Sequence, residues 1–500
     1  YNSAVGYQSL YSSTTGYFNT AIGSFALYSN TTATQNVSVG YNSSFYNTTG
    51  VAITAVGYEA LKANTTANNN TAVGYRSAYS NTTGYNNSAL GYASLYTNTT
   101  GYHNTAVGYY SLLTNSTGLV NTAVGVASLQ TNSTGSQNVA VGADALISST
   151  TASDNTAVGY RVMYDNTTGA RNSAFGLQAL YNNTTAGNNN AFGYLSLYTN
   201  TIGTQNVAMG TEALFSNTTA SNNTAVGYQA GYSNSVGSNS VFVGRQAGYF
   251  TTTTNAVTLV GDIAGFSNTT GQITGVGYAT LTNNTTGTAN TAIGVASLRL
   301  NTTGNYNIAL GSEALYNNTT ATHNTAVGHQ SLYSVTTQSD NVAVGNYALY
   351  SSTGARNVAM GYTAGYANTS GVDNVAIGYA ALRFNTTGGT NTVLGYAALY
   401  YNTSGGSNVA IGQNALSNNT TASYNTAIGQ SSGSLITTGS YNTILGRYNG
   451  NQNGLDIRTS SNNIVLSDGV GNPRMHYSST SKSWSLPYNG DTDTGRGGAP

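Results

Sequence analysis

The chain has 500 residues with a formal net charge of zero, 5% charged residues, no cysteine, 61 glycines and 41 tyrosines. A charge so sparse and balanced excludes nucleic acid as a partner, because phosphate binding needs clustered Lys and Arg, and the missing cysteine excludes disulfides and thiolate metal sites. Recurring aromatic and apolar residues without net charge argue against disorder, and no apolar run approaches the roughly 20 residues of a membrane-crossing helix, so no membrane insertion is expected. The opening at Tyr1 falls in mid-phrase, which predicts an excised or processed part of a longer protein.

From Tyr1 onward one phrase recurs: NTAVGYYSLLTNSTG at 104–118 returns as NTAVGVASLQTNSTG at 121–135. Marked by the Gly that closes N-T-A-V-G, the repeats run from Gly6, Gly23, Gly40 and Gly57 to Gly446, 27 glycines in all. Of the intervals between them, 24 are 17 residues long and two, Gly261 to Gly277 and Gly345 to Gly361, are 16. A register this constant is the signature of a repeat architecture. Gly, Asn, Thr and β-branched residues in apolar stretches of about four residues exclude helices, and the period is too short for leucine-rich repeats, which need about 20 residues or more.

Four columns carry the pattern. The residue before the Gly is apolar in all 27 repeats, as in Val5, Ile22, Val39, Val56, Val73, Leu90, Val107 and Val124, and this ladder is predicted to be the core. The residue two before the Gly is Ala in 21 of 27 and, by strand alternation, is predicted to point outward. An exposed Ala stripe of that length predicts coverage by another copy of the chain, through this face or its opposite. Asn stands four before the Gly in 23 repeats, including Asn19, Asn36, Asn104, Asn121 and Asn138, and is predicted to form a structural amide ladder. Leu stands four after it in 18.

The fold class is therefore expected to be all-β: a parallel β-solenoid, or β-roll, over residues 1–446 with one repeat per coil. Each coil is predicted as a strand over N-T-A-V, a bend at Gly, a second short extended piece around A-L-Y and a turn at N-T-T-G, and the two short intervals are expected to lose a residue around that turn. A lone coil cannot fold, since ordering each backbone residue costs roughly 1 to 2 kcal/mol; stacking offsets this with hydrogen bonds and burial. Coils paired at about 4.8 Å would build a rod on the order of 125 Å long.

The phrase N-[STV]-A-[VI]-G, as in NVAVG at 138–142 and NVAIG at 374–378, resembles the head repeats of trimeric autotransporter adhesins. The resemblance covers residues 1 to 446 and implies a left-handed β-roll with three chains side by side, hence a homotrimer. It departs in period, which is shorter in the adhesin heads, and those proteins carry a coiled-coil stalk and membrane anchor. The longer phrase Y-x-A-L-Y-x-N-T-T-G is similar to tail-fibre and appendage proteins of bacterial viruses, particularly those of aquatic hosts.

After Gly446 the period ends. All three prolines, the only Trp (Trp484) and five of the 13 basic residues lie beyond it, so residues 447–500 are expected to be a separate small β module that caps the solenoid or forms its recognition tip, with a flexible end. LDIRTSS, NIVLSDG, RMHYSST and WSLPY read as short strands joined by Asp-Gly and Gly-Asn turns. NNIVLSDGVGNPRMHY at 462–477 is similar to the segment preceding a self-cleaving chaperone domain in viral fibres; that domain's catalytic residues have no counterpart to be carried over.

Chemistry is scarce. His103, His323, His329 and His476 have no Cys or carboxylate at metal-ligand spacing, so no metal is expected. The DTDTG run at 491–495 lacks the remaining ligands of a calcium loop, and no Ser or Thr has a recognisable base. Within the repeats three Glu and six Asp are scattered, too few for a glycosidase pair. No catalytic residue and no cofactor is assigned, and the chain is not expected to be an enzyme.

Binding rests on aromatic rows. Tyr follows the repeat Gly in 13 coils (Tyr7, Tyr58, Tyr75, Tyr92) and recurs after the Leu (Tyr11, Tyr28, Tyr96, Tyr181). Such rows suit stacking on sugar rings and also pack well on neighbouring strands, the reading favoured here. Candidate recognition residues are Tyr7, Tyr58, Tyr75, Tyr92, Trp484 and Tyr488. In four coils Gly231, Gly248, Gly265 and Gly365 replace the Leu, and the rings that follow, Tyr232, Tyr249, Phe266 and Tyr366, are predicted to turn inward. The Thr pairs lie in Asn/Gly-rich turns and not on a flat strand face, which disfavours ice binding, and the N-T-T triplets are glycan acceptors only where the host machinery uses them. The expected function is a structural and adhesive fibre, a virion tail fibre or appendage at the virion surface. It would partner itself, other virion or appendage proteins and host-surface glycan. A bacterial surface adhesin or extracellular filament is the alternative, and a polysaccharide-degrading fibre enzyme a more distant one.

Overall fold

The computed structural model describes residues 1–486; Tyr488 and the 491–495 run lie outside the described residues. Each coil contributes one strand of three or four residues, from β1 (Ser3–Val5) to β27 (Thr443–Leu445), and no helix occurs among the described residues. The chain divides into two units, Tyr1–Ile263 and Ala264–Pro500. In the first, Val73 opposes Leu90, Leu90 opposes Val107 and Val107 opposes Val124, all in parallel. In the second, Val375 opposes Thr392 and Thr392 opposes Val409. The fold is a parallel β-solenoid of 27 coils.

The columns stack as expected, but their faces are reversed. Val5, Ile22, Val73 and Leu90 are exposed (63% for Val5, 41% for Leu90), and Val39, Val56, Val107 and Val124 are half-exposed, so the predicted core ladder lines the outer face. Ala21, Ala72, Ala123 and Ala225 are fully buried instead. Strand alternation dictates only that the two columns face opposite ways. What decides the inside is the Leu from across the coil: Leu27, Leu61, Leu95 and Leu129 are fully buried, each stabilising by roughly 1.5 to 3 kcal/mol. The coil is one Leu thick, so its opposing strand residue must be small.

The second extended piece does not form. Around A-L-Y the chain alternates hand, with left-handed φ at the second and fourth residues after the Gly, as in Glu59 (+54°) and Leu61 (+51°), and again before the Asn column, as in Asn69 (+59°). Left-handed conformation costs a non-Gly residue roughly 1 to 2 kcal/mol. The alternation turns successive N–H groups in opposite directions along the stack: Glu59 N–H donates to Tyr41 O of the preceding coil (2.9 Å) and Leu61 N–H to Ser77 O of the following one (3.0 Å). Hydrogen bonds to both neighbours offset the strain. Both short coils lose their residue around the turn, as expected: Thr353 alone separates Ser352 from Gly354 within it, while 268–271 keeps the full N-T-T-G and Gln272 alone links Gly271 to Ile273 just after it.

Two amide ladders run through the interior. In the predicted one, Asn104 Nδ2 donates to Gly118 O (2.9 Å), while its Oδ1 accepts from Asn121 N–H (3.0 Å); Asn19, Asn36 and Asn138 repeat the pattern. The second is the Asn of N-T-T-G, a position that the phrase alone places in a turn. Asn98 Nδ2 donates to Asn81 Oδ1 (2.7 Å) and to Gly101 O (2.9 Å). Buried amides are affordable only when paired in this way. Where the second ladder is broken an acceptor is orphaned: Asn318 Oδ1 has no partner, and the residue that follows it in the ladder is the buried Val335. Val335→Asn is expected to raise stability by about 1 kcal/mol, read as slower hydrogen exchange in that coil, because its Nδ2 would reach Asn318 Oδ1 as Asn318 Nδ2 reaches Asn301 Oδ1 (2.6 Å).

The rings expected to turn inward stay outside. Tyr232 is half-exposed and stacks between Phe215 and Tyr249 at 5.1 and 5.0 Å. Gly231 and Gly248 stand in the left-handed Leu column, at φ +60° and +62°, where Gly is unstrained. The space is filled from the Ala column by Phe242, which is fully buried; a Cβ on Gly231 would lie 2.7 Å from its Cδ2. Ile444 does the same beside Gly433, where a Cβ would lie 3.1 Å from its Cδ1.

The C-terminal module is built directly on the last coil. After Gly446, Tyr448 is buried as a plug and its hydroxyl donates to Leu455 O (2.7 Å). A small hairpin follows, β28 (Asn451–Gln452) and β29 (Leu455–Asp456), and then β30 (Asn463–Ser467) pairs parallel with β27, continuing the amide ladder through Asn463 N–H to Asn442 Oδ1 (3.0 Å). β31 (Pro473–Ser478) and β32 (Ser483–Ser485) then add antiparallel. The change of direction closes the parallel stack with a short twisted edge.

Asp468 fastens the turn into β31. Burial pushes its carboxyl up, but hydrogen bonds from Asn472 N–H, Arg474, the Asn472 side chain and Val470 N–H outweigh that and hold its pKa at about 2. A pKa lowered in the folded state stabilises fully above the unfolded value near 4 and is lost as pH falls through about 2. Fluorescence of the single Trp, Trp484 on β32, is therefore expected to report loosening between about pH 4 and pH 2, a change that Asp468→Asn shifts or flattens.

Candidate recognition surface

The outer surface after the repeat Gly carries two aromatic rows. Along the first, Tyr41, Tyr58, Tyr75, Tyr92 and Tyr109 stack successively at 5.3, 5.4, 4.9 and 5.3 Å. Along the second, Tyr164, Tyr181, Tyr198, Phe215, Tyr232 and Tyr249 stack at 5.0 to 5.3 Å. Ring spacing follows the coil spacing, so offset stacking comes with the register. The second unit repeats the arrangement with Tyr362, Tyr379 and Tyr396, and with Tyr316, Tyr333, Tyr350 and Tyr366.

Of the predicted recognition residues, Tyr58, Tyr75 and Tyr92 share one row, while Tyr7 stands apart, edge-on to Phe25 at 5.3 Å. Trp484 belongs to the other unit, exposed and tilted against Tyr477 at 5.4 Å. Within the first unit Tyr7 and the Tyr58 row do not form one site. Successive rings in the rows stack face to face, and those of the first row stay exposed.

Most of the ion pairs in the repeats join neighbouring coils. Glu59 accepts from Lys62 and Arg76, both at 2.7 Å, and these bonds outweigh the burial that would raise its carboxyl, so its pKa lies below the ordinary value. Asp144 pairs with Arg161 at 3.2 Å and Asp373 with Arg356 at 2.7 Å. Glu212 and Glu313 accept from Gln229 and Gln330, each 17 residues on. Among the described residues no three His, Asp or Glu come together as metal ligands. No family model, curated protein or solved structure matches this chain.

Between the two aromatic rows runs the column of residues two after the Gly, which usually carries long side chains such as Gln8, Glu59, Arg76 and Tyr110. Where it is Ala and both flanking rows carry Tyr, a notch opens. Ala93 makes one of about 290 Å³ between Tyr75, Tyr92 and Tyr96, closed at its ends by Arg76 and Tyr110. Ala380 and Ala397 in successive coils make a longer one of about 450 Å³ walled by Tyr379, Tyr396, Tyr400 and Arg383. Sequence reasoning missed both, although the signal was present: only G-Y-A-S-L-Y (91–96) and G-Y-A-A-L-Y (395–400) combine Ala with both tyrosines.

Proposed function

We propose that the chain is a structural and adhesive fibre, a tail fibre or appendage of a virion, that works as a homo-oligomer of three copies and meets a host-surface glycan. The observation that carries the oligomer is the outer strand face. The column before the Gly is apolar in all 27 coils, lies in register and is open to solvent in both units. Parallel sheets are normally covered on both faces, and single chains rarely expose apolar strips of that extent. Copies therefore meet across Val73, Leu90, Val107 and their equivalents, not across the Ala face. The adhesive part is supported by the aromatic rows, of which the first is exposed.

Light scattering on the purified chain tests the oligomer. A trimer is expected, and a combined Leu90→Lys, Val107→Lys and Val124→Lys variant is expected to dissociate it with an unchanged far-UV circular dichroism spectrum, because these side chains fill no space within a coil. A wild-type monomer at all concentrations would overturn the reading. Its virion location is tested separately, by mass spectrometry of purified particles from the source culture.

A further inference from the structure

The second unit carries a row of cavities that the aromatic ladders do not account for. The notch over Ala380 and Ala397 is bounded on one side by Tyr401, and beyond that ring lies a second cavity of about 720 Å³ lined by Phe384, Tyr401, Thr386, Thr403 and Thr420. Both volumes fall within the roughly 300 to 1,000 Å³ of small-ligand sites. Phe384 and Tyr401 stand six after the Gly, a column that elsewhere carries mostly Ser, Thr, Ala or Asn; no other two successive coils are aromatic there. Their rings stack at 5.8 Å and form a shared wall, exposed on the outer side.

Two arginines of one column, Arg299 and Arg383, have no carboxylate partner among the described residues, and of the two only Arg383 borders a notch flanked by Phe384 and Tyr401. Arg76, Arg161 and Arg356 are each paired with a carboxylate one coil away. The Arg383 guanidinium has no carboxylate within ion-pair distance among the described residues; it lies over the rings of Phe384 (5.3 Å), Tyr400 (5.8 Å) and Tyr366 (6.0 Å). One terminal nitrogen donates to Tyr400 Oη (3.1 Å), and Nε is buried with no acceptor. A planar cation held by aromatic faces and left without a carboxylate is disposed to accept one from a ligand.

We propose that residues 379–420 bind a segment of an acidic polysaccharide. The carboxylate of a uronic acid pairs with Arg383, its ring lies in the notch over Ala380 and Ala397 against Tyr396 and Tyr400, and the neighbouring sugar lies on Phe384 and Tyr401 with its hydroxyls toward the Thr386, Thr403 and Thr420 row. Aromatic walls suit pyranose rings, and the Thr386, Thr403 and Thr420 hydroxyls, which donate to carbonyls of the next coil, offer their oxygens as acceptors to sugar hydroxyls. Ala279 and Ala296 supply the internal contrast: they also follow each other, but their coils have Thr282 and Arg299 where the second Tyr would stand. The smaller notch at Ala93 has Arg76 neutralised by Glu59, so it carries no free cation. This proposal rests on the fibre reading only for the source of the glycan.

The test is calorimetry of the whole chain, in about 150 mM salt, with tetrasaccharides of glucuronate, galacturonate, mannuronate and guluronate and with their carboxyl-reduced forms. At least one acidic member is expected to bind with a Kd below about 1 mM, and its reduced form about tenfold or more weaker. Arg383→Gln should lose that same factor for the acidic form alone, while Tyr401→Ser and Ala397→Gln weaken both forms and Ala296→Gln weakens neither. Every replacement occurs at the same place in other coils (Gln130, Ser29, Gln330), which keeps the fold. Absence of binding by the whole panel, equal binding of acidic and reduced forms, or indifference to Arg383→Gln would overturn the proposal. A trimer that binds nothing in the panel would overturn this inference and leave the fibre reading standing; a monomer that binds would do the reverse.

Discussion

Phe242→Ala is expected to destabilise its coil by about 3 to 5 kcal/mol, and Gly231→Leu by a comparable amount, yet Phe242→Ala combined with Gly231→Leu and Gly248→Leu is expected to recover most of the loss. The reason is that volume inside each coil is shared between two columns. Ordinary coils place Leu on the turn side and Ala on the strand side; around Phe242 the assignment is exchanged, with Gly on the turn side and the ring on the strand side. Either half of the exchange alone leaves a cavity or a clash, because interiors are close-packed. The mirror experiment is Ala123→Phe, expected to be severe alone and relieved by Leu112→Gly with Leu129→Gly. Unfolding of a repeat array is not all-or-none, so the readout is hydrogen exchange of the amides around the altered coil. Simple additivity of the three changes would contradict the shared-volume account.

Gly125→Ala is the second large effect, expected to cost about 3 kcal/mol or more. Gly125 has φ +133°, a conformation that side chains hardly reach, and an added Cβ would lie 2.6 Å from Gly142 O and 2.7 Å from Gly142 C. Both are backbone atoms of the next coil, so relief requires the coils to separate and break the strand pairing there. Gly469→Ala is the control. Its Cβ would meet nothing within 4 Å, and it should change stability by about 0.5 kcal/mol or less. Equal effects of the two would show that the Gly column is not held by the stack.

What could be read from the sequence divides along a physical line. The period, the register and the Asn104 to Asn121 ladder are properties of a column compared with itself, and identical residues at constant spacing reveal them whichever way they face. The direction of Val107 and Ala106 is different. Alternation relates their faces, but the choice between them depends on Leu112, which enters from the other side of the coil, and a local pattern carries no such information. The left-handed residues were illegible for another reason: Glu59, Arg76 and Tyr110 occupy one backbone conformation with unrelated side chains, because hydrogen bonds to adjacent coils impose it and residue type does not. The second amide ladder was legible in principle. N-T-T-G reads as a turn at each occurrence, and only the recurrence of its Asn at constant spacing, which lets each amide pair with its own copy, marks Asn81, Asn98 and Asn115 as able to lie inside. The notches over Ala93 and Ala397 required knowing that one column stands between two rows of rings.

With Ala inside, the exposed apolar strip is the column of Val73, Leu90 and Val107, and it is there that the proposed copies would meet.

The central claim is that each repeat is one coil with like residues directly over like, and the absence of native cysteine makes a clean test of it. Val107 and Val124 oppose each other in register, as do Val124 and Val141, so neighbours in this column stand about 4.8 Å apart and next-but-one neighbours about twice that, against a disulfide reach of roughly 7 Å between Cα atoms. Mild oxidation, then denaturing non-reducing electrophoresis and peptide mapping of the single-chain band, should give a disulfide within the chain for Val107→Cys, Val124→Cys and none within the chain for Val107→Cys, Val141→Cys, whatever links form between copies. Cross-linking within the chain of the second pair, or of neither, would contradict the stacked-coil account.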